Sequence, residues 1–388
     1  MEIRLTKPED KDQVQKVRAI AFVNSVNENP DFVENTWGCF SDSGQLTNVV
    51  TNHSFDVFYD GSIVKMGGIG GVAALPEVRM QGGVRSIMSE ILRRDREKGV
   101  AFSALYPFSH TYYRRFGYEI CSNANAVRFS ISSLVKYRHY AESAQMIESL
   151  EDAMALTDLS RQHWQKYNMS VVKNEAVWKR NTRSDYKNAG SYAYSISRKG
   201  RCAAYIFFEP RDFKDDREML VNYYAYDGRE GLYALLGFIY KLAAQYKKVC
   251  MEIPEDFPIN SLIENPYDVA PVEFNGKWMA RLVNIEEGLG AMTVPAGDWK
   301  CTIKLRDDFL SQNSGVYQLS HSGDGVEVLK IQGDTADLSV TVQTLTQLCL
   351  GYLSLDIAKF REDLEIHGNE ELLTRIFPSK PVFMSEKF

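Results

Sequence analysis

Residues Met66–Tyr118 read MGGIGGVAALPEVRMQGGVRSIMSEILRRDREKGVAFSALYPFSHTYYRRFGY, and the rest of the chain is organised around them. Gly68–Leu75 is a predicted strand, closed by Pro76, which has no N–H to give to a ladder. The loop Glu77–Gly83 carries Arg79, Met80, Gln81 and the pair Gly82-Gly83. Val84, Ile87, Met88, Ile91 and Leu92 follow at helical spacing, and Gly99 ends that helix. Val100–Tyr106 is a second apolar strand, stopped by Pro107. A glycine-bearing loop that opens a helix points backbone N–H groups and a partial positive charge at an anion. Glycines at 82 and 83 let a phosphate approach without a Cβ in the way, and Arg79 and Arg85 add fixed charge. No Gly-Lys-Ser/Thr follows and the glycine spacing is not the dinucleotide fingerprint, so this is neither a Walker loop nor a Rossmann turn. A plain strand–helix connection would also use these glycines, and the residues alone leave both readings open.

The chain has 388 residues, room for two or three domains, with 44% hydrophobic and 25% charged residues, as in ordinary globular proteins. The net charge of −6 argues against nucleic acid or an anionic membrane as the main partner and suits a cationic substrate. Six cysteines lie far apart with no C-x-x-C, which reads as free thiols of a reducing compartment. The histidines show no ligand spacing, so no metal site is expected. The charged start MEIRLTKPEDKDQ has no apolar signal region, and no run of about 18 apolar residues exists to span a bilayer. The expectation is a cytoplasmic protein with no membrane partner.

Taken in order, the first domain opens with strand 2–6 and a helix from about Asp10 to Phe22. Residues 24–40 form a polar and aromatic segment, and Leu46–Val50 is a strand. A hairpin pairs Phe55–Phe58 with Ile63–Gly67 across Asp60-Gly61. The strand Asn125–Ile131 follows the organising stretch, and the first domain closes at residue 142. The second domain, 143–280, has a helical pattern over Ile147–Tyr167 and strands at Ser191–Ser197, Cys202–Glu209 and Met219–Tyr224. A Gly-bearing loop, a helix Leu232–Tyr246 and a strand Val249–Ile253 then repeat the order of the organising stretch. The third domain, 281–388, has four predicted strands flanked by helices. The fold class is α+β, or mixed α/β, throughout.

Arg79-Met80-Gln81-Gly82-Gly83-Val84 resembles the Arg/Gln-x-x-Gly-x-Gly/Ala segment with which the GNAT acetyltransferase superfamily binds the pyrophosphate of acetyl-CoA. Val84 departs from its last small residue. Tyr112-Tyr113-Arg114-Arg115-Phe116-Gly117-Tyr118 is similar to the superfamily's aromatic-Tyr-x-x-x-Gly-aromatic segment. Together with the run MGGIGGVA and the final aromatic residue, they resemble the Eis (enhanced intracellular survival) family. The resemblance implies two tandem GNAT-type domains, the second degenerate, followed by a sterol-carrier-protein-like domain. It implies acetyl-CoA as co-substrate and a small-molecule amine as acceptor. Family members acetylate aminoglycosides, and some acetylate lysines; the family tends to form hexamers. The implied cofactor positions are Val72, Ala73, Ala74, Arg79, Met80, Gln81, Gly82, Gly83, Val84, Arg85, Phe108 and Ser109.

By the same resemblance Tyr113 is the general acid and the C-terminal carboxylate of Phe388 the general base. A phenol with a pKa of about 10 is protonated at neutral pH and suited to protonating a thiolate. A carboxylate of pKa about 3.5 is a weak base for an ammonium, and burial would raise it. On the residues alone, Tyr113 also suits packing in an aromatic turn, and Phe388 a frayed tail. Two other functions stay open at this level: a non-catalytic binding protein with a vestigial GNAT domain, and a lipid carrier acting through the last domain.

Overall fold

A computed structural model describes residues 1–23, 34–182, 190–213, 216–272, 277–323 and 325–388. The chain forms two compact units: residues 1–122, 276–380 and 387–388 in one, residues 123–275 and 381–386 in the other. The predicted segment 24–40 lies outside the described residues up to position 33; Thr36–Phe40 is a strand.

In the first unit the opening sheet is built from β1 (Glu2–Leu5), β2 (Thr36–Phe40), β3 (Leu46–Tyr59), β4 (Ser62–Ala74), β5 (Phe102–Leu105) and β6 (Glu119–Ile120). Met279–Leu282 enters between β5 and β6, so the order is β1-β2-β3-β4-β5-(279–282)-β6. The two strands expected before Asp60 are one. Polar Thr51–Ser54 does not interrupt β3, because it lies opposite Gly67–Gly70 of β4 and the ladder continues through it. Asp60 and Gly61, both at positive φ (49° and 80°), make the primed two-residue turn that matches strand twist.

Helix α1 (Lys11–Phe22) lays Val14 and Val17 against Phe40, Leu46, Val49, Ala73 and Leu75. Helix α2 (Gly83–Glu97) buries Ile87, Met88, Ile91 and Leu92 against Trp37, Cys39, Val50, Ile69 and Leu105. Each of these α2 side chains contributes about 2 kcal/mol by leaving water. Helix α3 (His110–Arg114) follows β5.

A second, five-stranded sheet of this unit runs Val326–Ile331, Gly315–His321, Trp299–Arg306, Leu338–Thr341 and Leu364–Ile366, with helices including Val342–Leu350. Its fifth strand, three residues long, was too short for a periodic signal.

The other unit holds a seven-stranded sheet in which Asn125–Ser130 pairs with Lys248–Ile253. The sequence had grouped Asn125–Ile131 with the first domain and let the second run to residue 280. Alternating apolar residues announce a strand but do not say which sheet will pair with it. The helical pattern over 147–167 resolves into two helices, Leu150–Met154 and Thr157–Trp164, and Ser143–Met146 just before it is a strand. The first helix starts at Ser149, whose hydroxyl accepts from the Asp152 N–H while Asp152 accepts from the Ser149 N–H. Residues 381–386 belong to this unit. Asn168 N–H donates to the Pro381 carbonyl, Phe383 stacks on Trp164 at 4.9 Å, and Glu386 makes a buried ion pair with Lys173.

His163 in this unit is 7% exposed and its Nδ1 meets the Tyr226 carbonyl at 3.1 Å. Burial pulls it down to about 4. Its unfolded counterpart titrates near 6.5. The unfolded chain therefore binds a proton that the native one refuses, and stability falls as pH drops from 6.5 toward 4. The loss should reach about 3 kcal/mol. Urea titrations at pH 7 and pH 4 should show it, and His163→Gln should reduce the difference between them.

Candidate active site

The site begins where β4 and β5 separate. Their parallel ladder runs from Met66–Phe102 to Ile69–Leu105, whereas β4 continues to Ala74, paired on its other side with β3. At the parting point β4 has a bulge: Gly70 pairs with Thr51 and Ala73 with Val49. Gly71, at φ +55°, takes the left-handed conformation within it. Arg18 of α1 braces the bulge, donating to Thr36 Oγ1 (3.0 Å) and Thr51 Oγ1 (2.6 Å). Burial draws its guanidinium down to about 10, still protonated at neutral pH. Val72, Ala73 and Ala74 therefore lie on a stretch of β4 that β5 does not cover, which leaves one side of the backbone for a ligand.

Beyond β4, Pro76–Val78 makes one 3₁₀ turn and the chain enters α2 through Arg79–Gly82. Met80 (φ 65°) and Gly82 (φ 85°) are both left-handed, and Met80 is fully exposed. Gly82 caps α2 with no side-chain acceptor. Among the described residues no acceptor meets the N–H groups of Gly83, Val84 or Arg85, so the helix start has donors to offer an anion. Gly83 is required by close packing: a Cβ there would stand 2.3 Å from Asn48 Oδ1. Arg79 is exposed, Gln81 turns back to the Glu77 carbonyl, and Arg85 lies 5.0 Å over the Phe309 ring. These are residues and donors that suit a pyrophosphate.

Tyr113 sits on α3, whose first turn is capped by Ser109 accepting from the Tyr112 N–H. Its ring is 2% exposed and packs among Phe108 (5.4 Å), Tyr112 (5.2 Å), Phe116 (6.3 Å) and Tyr118 (6.3 Å). Burial, and then the neighbouring phenols, push its hydroxyl well above the usual value. The turn after it is held by the buried Arg281, which donates to the Phe116 carbonyl and pairs with Asp307. Gly117, at φ +82°, makes room for that guanidinium.

Phe388 lies on the β4 face opposite α2. A Cβ on Gly68 would be 3.0 Å from its ring, and a Cβ on Gly70 would be 3.2 Å from its carboxyl carbon. Its ring meets Phe55 at 5.1 Å, Tyr106 at 5.5 Å and His53 at 6.4 Å. On the other face, a Cβ on Gly67 would strike Asp95 and Asn52 beneath α2. The alternate glycines of MGGIGG thus clear one face of β4 for Phe55, which a Cβ on Gly68 would strike at 2.5 Å, and for Phe388. Sequence reasoning missed this role, and with it His53, Phe55, Tyr106 and Arg18. The legible signal was glycine repeated inside a strand, which marks a close approach to the backbone.

The corresponding helix of the other unit, Gly228–Lys241, has a different entrance. Asp227 precedes it and pairs with Arg201 at 2.8 Å; Glu230 in its first turn pairs with Arg198 at 3.1 Å. Two carboxylates stand where an incoming phosphate would need positive charge.

Residues 2–121 and residues 170–282 each match an acetyltransferase (GNAT) domain model, and residues 285–385 match a sterol carrier protein domain. The chain is a GNAT-class N-acetyltransferase with a C-terminal sterol-carrier-like domain. Its fold is shared with a GCN5-related N-acetyltransferase from Anabaena variabilis, at TM-score 0.88, 21% identity and full coverage of both chains. It is shared as well with a probable N-acyltransferase from Enterococcus faecalis, at TM-score 0.85 and 21% identity, covering 100% of this chain and 99% of that one. Eis1 from Mycobacterium abscessus also has this fold, at TM-score 0.80, 20% identity and full coverage of both chains. No curated protein sequence matches the chain. Among the described residues no group of side chains is arranged to hold a metal ion, and no helix is long and apolar enough to cross a membrane.

Proposed function

We propose that the first domain transfers acetyl from acetyl-CoA to amino groups of a small polycationic molecule of the aminoglycoside kind, by direct attack. The observation that carries this reading is the parted β4–β5 pair, with a donor-rich helix start beyond one end of β4 and Phe388 on its glycine face. The α2 start and Arg79–Arg85 would hold the pyrophosphate, Val72–Ala74 would bond the pantetheine arm, and Phe108 and Ser109 would border it.

The acceptor enters as an ammonium, and the Phe388 carboxylate, directly or through a water, takes its proton. The amine nitrogen then forms a bond to the thioester carbonyl carbon. A backbone N–H of the bulge polarises that carbonyl. As the C–S bond breaks, the electron pair goes to sulfur, and Tyr113 donates its phenolic proton to the thiolate. The products are an amide and free CoA. The acylated nitrogen gives up its second proton to solvent to leave the neutral amide, and the proton taken from the ammonium returns through solvent to restore the phenol, so one proton is released per turnover.

The net charge of −6 supports a cationic acceptor. The second GNAT domain, with its carboxylate-lined helix entrance, serves as structure. A cytoplasmic hexamer is the form we assign by likeness to the Eis family.

A panel of aminoglycosides, polyamines and lysine peptides, followed by release of free thiol from acetyl-CoA, tests the reading. Transfer to polycationic small molecules is the expected result. Binding of acetyl-CoA with no transfer to any amine would overturn it.

A further inference from the structure

The two ends of β4 have different ligand chemistry. The α2 helix start, beyond Ala74, offers donors to a pyrophosphate. An acyl-CoA seated there, as proposed above, has its arm beside Ala74–Val72 and its acyl group directed toward lower residue numbers. From Ala74 back to Gly70 the strand spans about 13 Å. On that side, Gly68 and Gly70 remove two successive side chains from one face of β4. The space at Gly70 holds the carboxyl group of Phe388, and the space at Gly68, one step further along, holds its ring, with Phe55 at 5.1 Å and Tyr106 at 5.5 Å from it. Phe388 is only half-buried, so its ring is not enclosed in the core.

We infer that the Phe388 ring, with Phe55 and Tyr106 behind it, is the end wall of the acyl slot and restricts the donor to short acyl chains. Here Gly68 and a frame of Phe55, Tyr106 and His53 hold the ring on the line an acyl chain would follow past Gly70. Phe388 therefore has two separable parts, a carboxylate that faces the acceptor and a ring that sets donor length. The inference rests on the cofactor placement proposed above.

The test is calorimetric titration of wild type, Phe388→Ala and Phe55→Ala with acetyl-CoA, butyryl-CoA and hexanoyl-CoA. Phe388→Ala keeps a carboxylate at position 388 and removes only the ring. Phe55→Ala enlarges the slot from behind and leaves Phe388 whole. Wild type should prefer acetyl-CoA. Each variant should shift the hexanoyl-to-acetyl affinity ratio toward hexanoyl by about tenfold or more, the discrimination a pocket exerts over added methylenes. Wild type binding hexanoyl-CoA as well as acetyl-CoA, or both variants leaving the ratio unchanged, would overturn the wall. Failure of wild type to bind any acyl-CoA would overturn the cofactor placement as well. The base role is judged on other data, the turnover of chains with a displaced carboxylate, so the two ideas fail separately.

Discussion

Tyr113→Phe should lower kcat by about 10²–10⁴-fold, the range for loss of a positioned general acid. The substitution removes only the hydroxyl. The ring contacts with Phe108, Tyr112 and Phe116 remain, so melting temperature and affinity for CoA should hold. The pH dependence has a definite sign. Burial raises the phenol above its usual value, which stabilises the protonated form that donates. Wild-type kcat/KM should therefore show no descending limb from this group below about pH 10. A Tyr113→Phe enzyme that keeps full activity removes the residue from the chemistry. So does a descending limb near neutral pH that disappears in the variant, since it would mean the phenol ionises far lower than its burial allows.

Moving the Phe388 carboxylate should be nearly as costly. Deleting the residue moves the terminal carboxylate back to Lys387 and removes the ring that rests over Gly68 beside Phe55. Adding one glycine after it is the cleaner experiment. The ring stays, the carboxylate at 388 becomes a neutral amide, and the new carboxylate is displaced by one residue, about 3.8 Å. A loss of about 10²-fold in kcat is expected for both variants, with affinity for CoA retained. Turnover of the glycine-extended chain at the parental rate would show that the carboxylate at 388 is not the base.

The fold was legible in proportion to how local its signals are. Pro76, Gly82-Gly83 and the apolar stripe Val84–Leu92 announced a strand, a loop and a helix, because each rests on backbone chemistry within a few residues. Asp60-Gly61 announced its turn for the same reason. Sheet membership was not legible. Asn125–Ser130 reads as a strand and Met279–Leu282 carries no assignment, and the partners of both lie far away in sequence. A short apolar strand carries no label for its neighbour. The helix expected from Leu232 begins at Gly228 instead, because Asp227 takes an extended conformation at the cap.

The site divided in the same way. Arg79–Arg85 could be read as an anion loop because N–H donors at a helix start belong to the local chain. Tyr113 could be read as an acid only by resemblance, since its raised pKa comes from neighbours that only folding brings around it. Phe388 could be named from sequence but not placed.

By itself, then, the sequence determined the strand–loop–helix that suits a pyrophosphate, the tandem repeat of that order, and the residues available for acid and base. The tertiary structure alone decided what the glycines of MGGIGG are for. Gly67 admits Asn52 and Asp95 on one face; on the other, Gly68 admits Phe55 and the Phe388 ring, and Gly70 the Phe388 carboxyl group. A residue with no side chain states only that something must come close. What comes close, from more than 300 positions later in the chain, is set by packing that no local pattern encodes.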